Sequence, residues 1–465
     1  RSQFAPITLE EIQKHIPPDA CLVEFAVYRP YDAKTGKFRA PRYMAYLISG
    51  SGSGVNPGQT HQSKLQQLAP NPKEKNQRDK VETPEPVQWV DLGDAAPIEA
   101  AVSVFRQTVR NRLSENRIIG LNQSSKTQFL RVKEAGRTLD QLIFQPVRKL
   151  LGKTRRVLLS PDGVLNLIPF DALVDEKGRY LVETYEFSYL TSGRDLLRFP
   201  TSISSQQPPI VIANPDYASG AGPHLLGKQY SPLSRLAGTV AEAEQLKAIF
   251  PDALVFLDSQ STESVLTQAN RPEFLHIGTH GYFLADVLQS VAGTLETSRL
   301  LGRSEDMSPE DLDLLRQANP LLRSYLFFAG ANQPTDESGN DGIVTALEVT
   351  GLNLWGTKLV VLSACDTGLG EVKNGDGVYG LRRALVLAGS ESQVVSLWPV
   401  SDSGTRDLMI KYYRLLRQGM GRSSALRQVR LDFLKRPGRA HPFYWASFIL
   451  SGGWEPLKRG KASRE

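Results

Sequence analysis

Two short apolar runs, each stopping abruptly at a reactive side chain, constrain this chain more than anything else in it. One is Phe274-Leu275-His276-Ile277-Gly278-Thr279-His280-Gly281 and the other is Val360-Val361-Leu362-Ser363-Ala364-Cys365-Asp366-Thr367-Gly368. Runs of this length without polar alternation read as strands of a parallel sheet, buried on both faces. In such sheets ligands sit beyond the carboxyl ends of the strands. Neighbouring strands would therefore deliver the His280 imidazole and the Cys365 thiol to one rim, although eighty-five positions separate them.

That pairing has a chemistry. A thiol at neutral pH is mostly protonated, and its thiolate is the nucleophile. A nearby imidazole stabilises the thiolate or takes its proton during attack, and later protonates the leaving group. Gly281 lets the backbone approach a substrate carbonyl and offers its N–H to the developing oxyanion, with the N–H of Cys365 as second donor. Each residue alone has a plainer reading. A cysteine closing a buried strand is most often a small core hydrophobe, and a histidine beside glycine is usually a turn residue. On two strand ends of one sheet, together, they point to catalysis. His276 is read as structural, facing the opposite side of its strand. Cys21 opens a strand rather than closing one.

At 465 residues the chain is longer than one hydrophobic core usually serves, so two domains are expected. No apolar run approaches the ~18 residues a membrane-spanning helix needs. The chain opens at Arg1 rather than methionine, which reads as a fragment or a processed form. Two cysteines are too few for a secreted disulfide framework, so a reducing, cytoplasmic setting is expected. The formal charge of +6 is uneven: residues 403–465 hold fourteen Lys or Arg against four Asp or Glu. Solvated helix faces explain that excess; nucleic-acid binding is not expected, because no recognised motif or aromatic platform accompanies it.

Along the chain, strands are expected at 21–28, 42–48, 87–92, 156–160 and 185–190, and helices at 98–113 and 139–151. The polar stretch 50–86 reads as a mobile loop. Residues 201–209 form the boundary between a first α/β unit (1–200) and a second (209–465). The second alternates strands and helices, as a parallel sheet with right-handed crossovers does. Its strands fall at 210–213, 253–257, 274–278, 324–328, 358–363 and 393–397, with a last one near 445–450. Helices fall at 239–249, 378–387, 404–416 and 423–434. The segment 284–323 is long enough to be a functional loop or lid.

The order histidine then cysteine on parallel strands is that of caspases, and Ala364 before Cys365 fits their local signature. Asp366-Thr367 departs from it and sets this chain outside the caspases proper. The second unit resembles a CHAT domain, the caspase-like peptidase domain often found behind tetratricopeptide repeats and related to separases. The matching text runs through 275–283, 359–370, 377–389, 396–402, Leu408-Met409 with Tyr412-Tyr413, and 441–448. The first unit matches the family's leading region at 159–173 and 178–181. The repeats are absent and would lie upstream of Arg1.

The resemblance implies a caspase-like α/β/α sandwich with a mostly parallel sheet, preceded by a pseudo-peptidase-like α/β unit that serves as a scaffold or regulatory half. It maps His280 and Cys365 onto the catalytic dyad, with a backbone carbonyl orienting the imidazole. It implies a cysteine endopeptidase acting on partner proteins, held latent until an upstream repeat or sensor region activates it; a catalytically silent interaction scaffold is the alternative. Separase-like relatives read a basic side chain through acids, so cleavage after arginine is expected. Asp402 and Asp376 are the candidate pocket acids, and Trp398 and Ser363 candidate contributors to the cleft. Other readings stay open: Asp402 as a helix N-cap, Asp376 as a turn residue and Trp398 as core. Asp366 should point away from the thiol, whose pKa it would otherwise raise. Arg78, Arg299 and Arg303 are candidate self-cleavage sites. No cofactor is expected, and neither metal-ligand spacing nor a phosphate loop is evident: six histidines are scattered and Gly375-Asp376-Gly377 lacks the required lysine.

Overall fold

A computed structural model of the chain describes residues 7–50, 87–110, 122–199, 203–218, 220–225, 228–283, 320–333, 341–363, 376–398 and 402–457. Residues 122–126, 224, 228, 229, 283, 320, 376–379 and 402 are described by their backbone alone. The expected mobile loop (beyond Gly50) and most of the expected lid lie outside these residues.

The first half contributes β1 (Ala20–Tyr28), a hairpin of β2 (Tyr31–Asp32) and β3 (Lys37–Phe38), then β4 (Arg42–Ser49), β5 (Gln88–Asp94), β6 (Arg156–Ser160) and β7 (Glu186–Tyr189). The second half contributes β8 (Ile210–Pro215), a ribbon of β9 (His224–Leu225) and β10 (Lys228–Gln229), β11 (Leu254–Asp258), β12 (Phe274–Gly278) and β13 (Gly281–Phe283). There follow β14 (Ser324–Phe327), β15 (Ile343–Thr345), β16 (Leu359–Leu362), β17 (Ser392–Ser396) and β18 (Phe448–Gly452). Eleven strands form one sheet, in the order β11-β8-β12-β16-β17-β18-β7-β6-β1-β4-β5. Seven of its ten strand pairs are parallel, which makes this the α/β, mostly parallel architecture expected. The two halves share the sheet: β18 lies parallel to β7, with Ser451 opposite Tyr189.

Side-chain alternation in β1 shows why the first half needs cover on both faces. Cys21, Val23 and Phe25 enter the main core, while Ala20 and Leu22 enter a smaller cluster with Ile16, Ile48, Leu158 and Leu196. The short helix Leu9–His15 packs over that second face, started by a capping box between Thr8 and Glu11. On the main face lie the helices Ala95–Arg110 and Asn122–Leu139, which pack on each other. Beneath them the Phe144 ring meets Phe170, Tyr185 and Phe187 edge-on, with centroids 5.3–6.1 Å apart.

In the second half, Phe274 and His276 lie on one face of β12. The Phe274 ring contacts Phe250, which caps the end of the helix Ala237–Ile249, and Tyr413 of the helix Asp402–Arg417.

Two expectations need correction, and one helix had none. The strand expected at 324–328 is not in the main sheet; β14 sits between β13 and β15 in a separate three-stranded sheet. The last strand begins at Phe448 rather than near 445, because Pro442–Trp445 forms a short helix capped by His441, and it runs antiparallel to β17. The helix Asn122–Leu139 went unread. Only Phe129, Val132, Ala135 and Leu139 mark its apolar stripe within an otherwise polar sequence.

Candidate active site

The two runs that opened the sequence are adjacent strands. β12 and β16 pair in parallel with Ile277 opposite Leu362, and the Ser363 N–H donates to Ile277 O at 3.0 Å. Both strands therefore end at the same rim. Gly278 permits the approach: a Cβ there would meet the Thr239 side chain at 3.1 Å and stand 3.4 Å from Ser363 Oγ. The Ser363 hydroxyl is buried and has no hydrogen-bond partner among the described residues.

Beyond Gly278 the chain leaves the main sheet and enters β13, with Thr279 and His280 at the corner. A short hydrogen-bond relay fixes that corner. The His280 N–H donates to Tyr217 Oη at 3.2 Å, the Tyr217 hydroxyl donates to Thr279 Oγ1 at 2.9 Å, and the Thr279 hydroxyl donates to Phe327 O. The Phe327 N–H returns a bond of 3.1 Å to His280 O. His280 is 3% exposed and its ring lies against the Tyr217 ring, centroids 5.3 Å apart.

The imidazole Nε2 stands 2.7 Å from the backbone carbonyl of Ser234. A carbonyl oxygen only accepts, so Nε2 carries the hydrogen and Nδ1 holds the lone pair of the neutral ring. The ring is thus oriented by a backbone carbonyl, and nothing in the sequence marks Ser234 for it. Tyr217 was likewise missed. Its signal was only that it follows β8 closely in Asn214-Pro215-Asp216-Tyr217, at the same rim.

The ladder also orients Gly281. Because Phe327 N bonds His280 O, the Gly281–Leu326 pair is one of the non-hydrogen-bonded pairs of this antiparallel ribbon. The Gly281 N–H is thus directed away from β14.

His276 is buried between Tyr413 Oη, 3.0 Å from Nδ1, and Glu242 Oε1, 3.2 Å from Nε2. A structural role fits it. An even spacing of four would place both rings on one face of a continued strand; they separate because β12 ends at Gly278. Cys21 is buried in β1, where burial pushes its thiol up to about 12. Trp398 is 2% exposed within the main core and donates to Phe443 O at 3.4 Å, so its packing is that of a core residue rather than a cleft wall. Asp376 and Asp402 are each the first residue of a helix, Asp376–Leu387 and Asp402–Arg417; the second starts two residues before the expected Gly404. Cys365, Asp366, Arg78, Arg299 and Arg303 lie outside the described residues. Among the described residues no cluster of three or more His, Cys, Asp or Glu could hold a metal ion, and no helix is long and apolar enough to cross a membrane.

The CHAT domain family model matches residues 133–453. Tetratricopeptide repeat protein 28 of Homo sapiens is 28% identical over 315 residues, and that of Mus musculus 26% identical over 323. Each alignment covers 65% of this chain, which spans 12% of the length of either relative. Among solved structures, the Arg specific cysteine proteinase gingipain R is similar with a TM-score of 0.39 at 10% identity, covering 69% of this chain and 68% of that one. The Saccharomyces cerevisiae separase–securin complex is similar with a TM-score of 0.32 at 11% identity, covering 77% of this chain and 23% of that one. The matched residues include both strand ends that carry the candidate site and well over half of the sequence: the chain belongs to the CHAT-domain family.

Proposed function

We propose that the chain is a cysteine endopeptidase in which Cys365 attacks a peptide carbonyl, His280 moves the proton and the N–H groups of Gly281 and Cys365 hold the oxyanion. The observation that carries this reading is the register of β12 against β16. Cys365 lies two residues beyond Ser363, and two residues of chain reach at most about 7 Å. The Ser363 N–H is itself bonded to β12, three residues before His280. The reading is supported by the shared end of the two strands that lead to these residues, and by an imidazole whose Nε2 is committed to Ser234, which leaves Nδ1 to serve as the base. Attack yields an acyl-enzyme and a free amine; His280 protonates the amine, then activates the water that releases the acid. The direction of the Gly281 N–H, away from β14, suits a donor to the oxyanion.

Substrates are proposed to be partner proteins with a basic residue, arginine above lysine, at the cut, read by Asp402 and Asp376 from their two helix starts through paired hydrogen bonds. Ser363, with its buried hydroxyl, supports the floor of the same rim. The first half acts as a scaffold, and an upstream repeat region is the proposed source of activation.

The test is turnover of fluorogenic peptides ending in arginine, lysine, aspartate or leucine by the chain, by Cys365→Ala and by His280→Ala. Cleavage of the arginine peptide, falling at least about 10³-fold in either variant, is the expected result. Cleavage of only the aspartate or leucine peptide would overturn the acidic pocket and leave the enzyme standing. No cleavage by the chain, together with no His280-dependent labelling of Cys365 by a thiol probe, would favour an interaction scaffold.

A further inference from the structure

The carbonyl that orients His280 belongs to an exposed strap, and the strap needs an anchor. Ser234 and Arg235 are both exposed to solvent, whereas Leu233 is buried. An exposed backbone segment has no packing of its own to define where a carbonyl points. One side of Ser234 is tied by the Arg235–Asp258 ion pair, whose members are about half exposed and hold it weakly. The other side is tied by Asn332, 3% exposed, in the turn that follows β14.

Asn332 uses its whole side-chain amide on this task. Its Oδ1 accepts from Leu233 N–H at 2.8 Å, and its Nδ2 donates to Leu233 O at 3.0 Å and to Ala218 O at 3.1 Å. The amide therefore closes a two-point ring on the residue immediately before Ser234 and stitches it to the loop after Tyr217. Its own backbone is fixed as well, since Asn332 N–H donates to Tyr217 O at 3.0 Å. Asparagine is the side chain of this length that offers an acceptor and two donors in one plane. Buried groups satisfied on every side are rigid, and removing one leaves the others unpaired.

We infer that Asn332 is a positioning residue for His280: by clamping Leu233 it fixes the Ser234 carbonyl, and through that carbonyl the Nε2–H tautomer and the orientation of the ring. The role in peptide cleavage rests on the function proposed above; the role in holding the imidazole does not. Neither Asn332 nor Ser234 needs to touch the substrate. Tyr217 supports the same ring from its other side.

The experiment compares the full chain with Asn332→Ala and Asn332→Asp, each labelled with 15N at histidine; His280→Gln identifies the His280 resonances among six histidines. In the unaltered chain the His280 Nε2–H is expected as a slowly exchanging imidazole proton, with Nδ1 showing the shift of an unprotonated nitrogen. In Asn332→Ala that proton is expected to exchange with solvent, and the two ring nitrogens to move toward averaged shifts. Asn332→Asp keeps the acceptor for Leu233 N–H and loses both donors, so it is expected to fall between the two and carries the test if Asn332→Ala fails to fold. Peptide turnover is expected to drop about a hundredfold in kcat with KM little changed, as a misplaced base requires. A protected Nε2–H in both folded variants, or an Nδ1–H tautomer in the unaltered chain, overturns the inference. An Asn332-dependent imidazole proton in a chain that cleaves no peptide would uphold the inference while the proposed peptidase fell.

Discussion

Cys21 and Cys365 are the two thiols of this chain, and the surroundings of Cys21 should make it unusually unreactive. Cys21 is second in β1, packed in the main core, with its Sγ 3.6 Å from Leu22 O. Burial withholds water from the thiolate and pushes the group up to about 12. At pH 8 its thiolate fraction is then on the order of 10⁻⁴, against roughly a tenth or more for an ordinary thiol. Native chain treated with iodoacetamide at pH 8 is expected to take label at the Cys365 peptide and none at the Cys21 peptide, by mass spectrometry after digestion. Label at Cys21 in urea but not without it would locate the protection in the fold. Equal labelling of both under native conditions would contradict the burial argument. The practical consequence is that a thiol probe reads the candidate nucleophile without mutating the other cysteine.

Elements show a different kind of exposure to pH. Glu263 opens the short helix Glu263–Thr267 and faces Asp341, at the entry to β15, and Glu348, in the helix Ala346–Val349. Its Oε2 is buried without a hydrogen-bond partner among the described residues. Burial first, then the two neighbouring carboxylates, raise its pKa from 4.5 to about 7. Such a carboxyl binds its proton more tightly folded than unfolded. Its contribution to stability is therefore largest at low pH and is lost as pH rises from the unfolded value through about 7. Glu263→Gln is expected to be neutral near pH 5 and to raise the thermal midpoint at pH 8 by on the order of 1–2 °C. A variant that is destabilised at pH 8 would mean that the ionised carboxylate is welcome there.

This region is also where the sequence was hardest to read. The run at 324–328 is as apolar as β12 or β16, so composition alone assigns all three to one sheet. What diverts β14 is the corner at Thr279-His280, built from a tyrosine hydroxyl sixty-two positions before Thr279 and a carbonyl at Phe327. No local pattern encodes a relay of that span. The central strands and the place of His280 were legible because buried parallel strands carry continuous apolar runs, and because a residue must close such a run to reach the rim. The residues around His280 were not, since Ser234 acts through a backbone carbonyl, Tyr217 through a single hydroxyl and Asn332 through one buried amide, none of which a local pattern marks.

At the scale of the whole molecule, the sequence break at 201–209 suggests two units, yet the sheet runs through both and its junction is sealed by buried polar joints. Arg430, 3% exposed at its side chain, places Nη1 2.6 Å from Oδ1 of the fully buried Asp171 and donates its Nη2 to Phe448 O. Arg382 donates to Asn166 Oδ1 at 2.8 Å, and Arg427 donates to carbonyls of Val182, Glu183 and Tyr185. The hydroxyls of Ser423 and Ser424 bind Glu186. In the bonds that cross between Arg382, Arg427, Ser423 and Ser424 and the first half, and in the Arg430–Asp171 pair, the second half supplies the donor, while Arg198 of the first half donates back to Ser390 O. Neither half could expose its side of the junction cheaply: the first would keep an uncompensated buried carboxylate, the second a row of unpaired guanidinium groups. The two halves should therefore unfold as one cooperative body. Arg430→Met strands Asp171 without its cation and is expected to cost about 3–5 kcal/mol, whereas Asp171→Asn combined with Arg430→Met should recover part of that loss. Calorimetry and denaturant titration followed by two probes, Trp89 in the first half and Trp445 in the second, check the point. One coincident transition that shifts as a unit in Arg430→Met is expected. Two transitions, with only one of them moved by the substitution, would mean that the halves are independent domains and that the shared sheet is a contact between them rather than a common core.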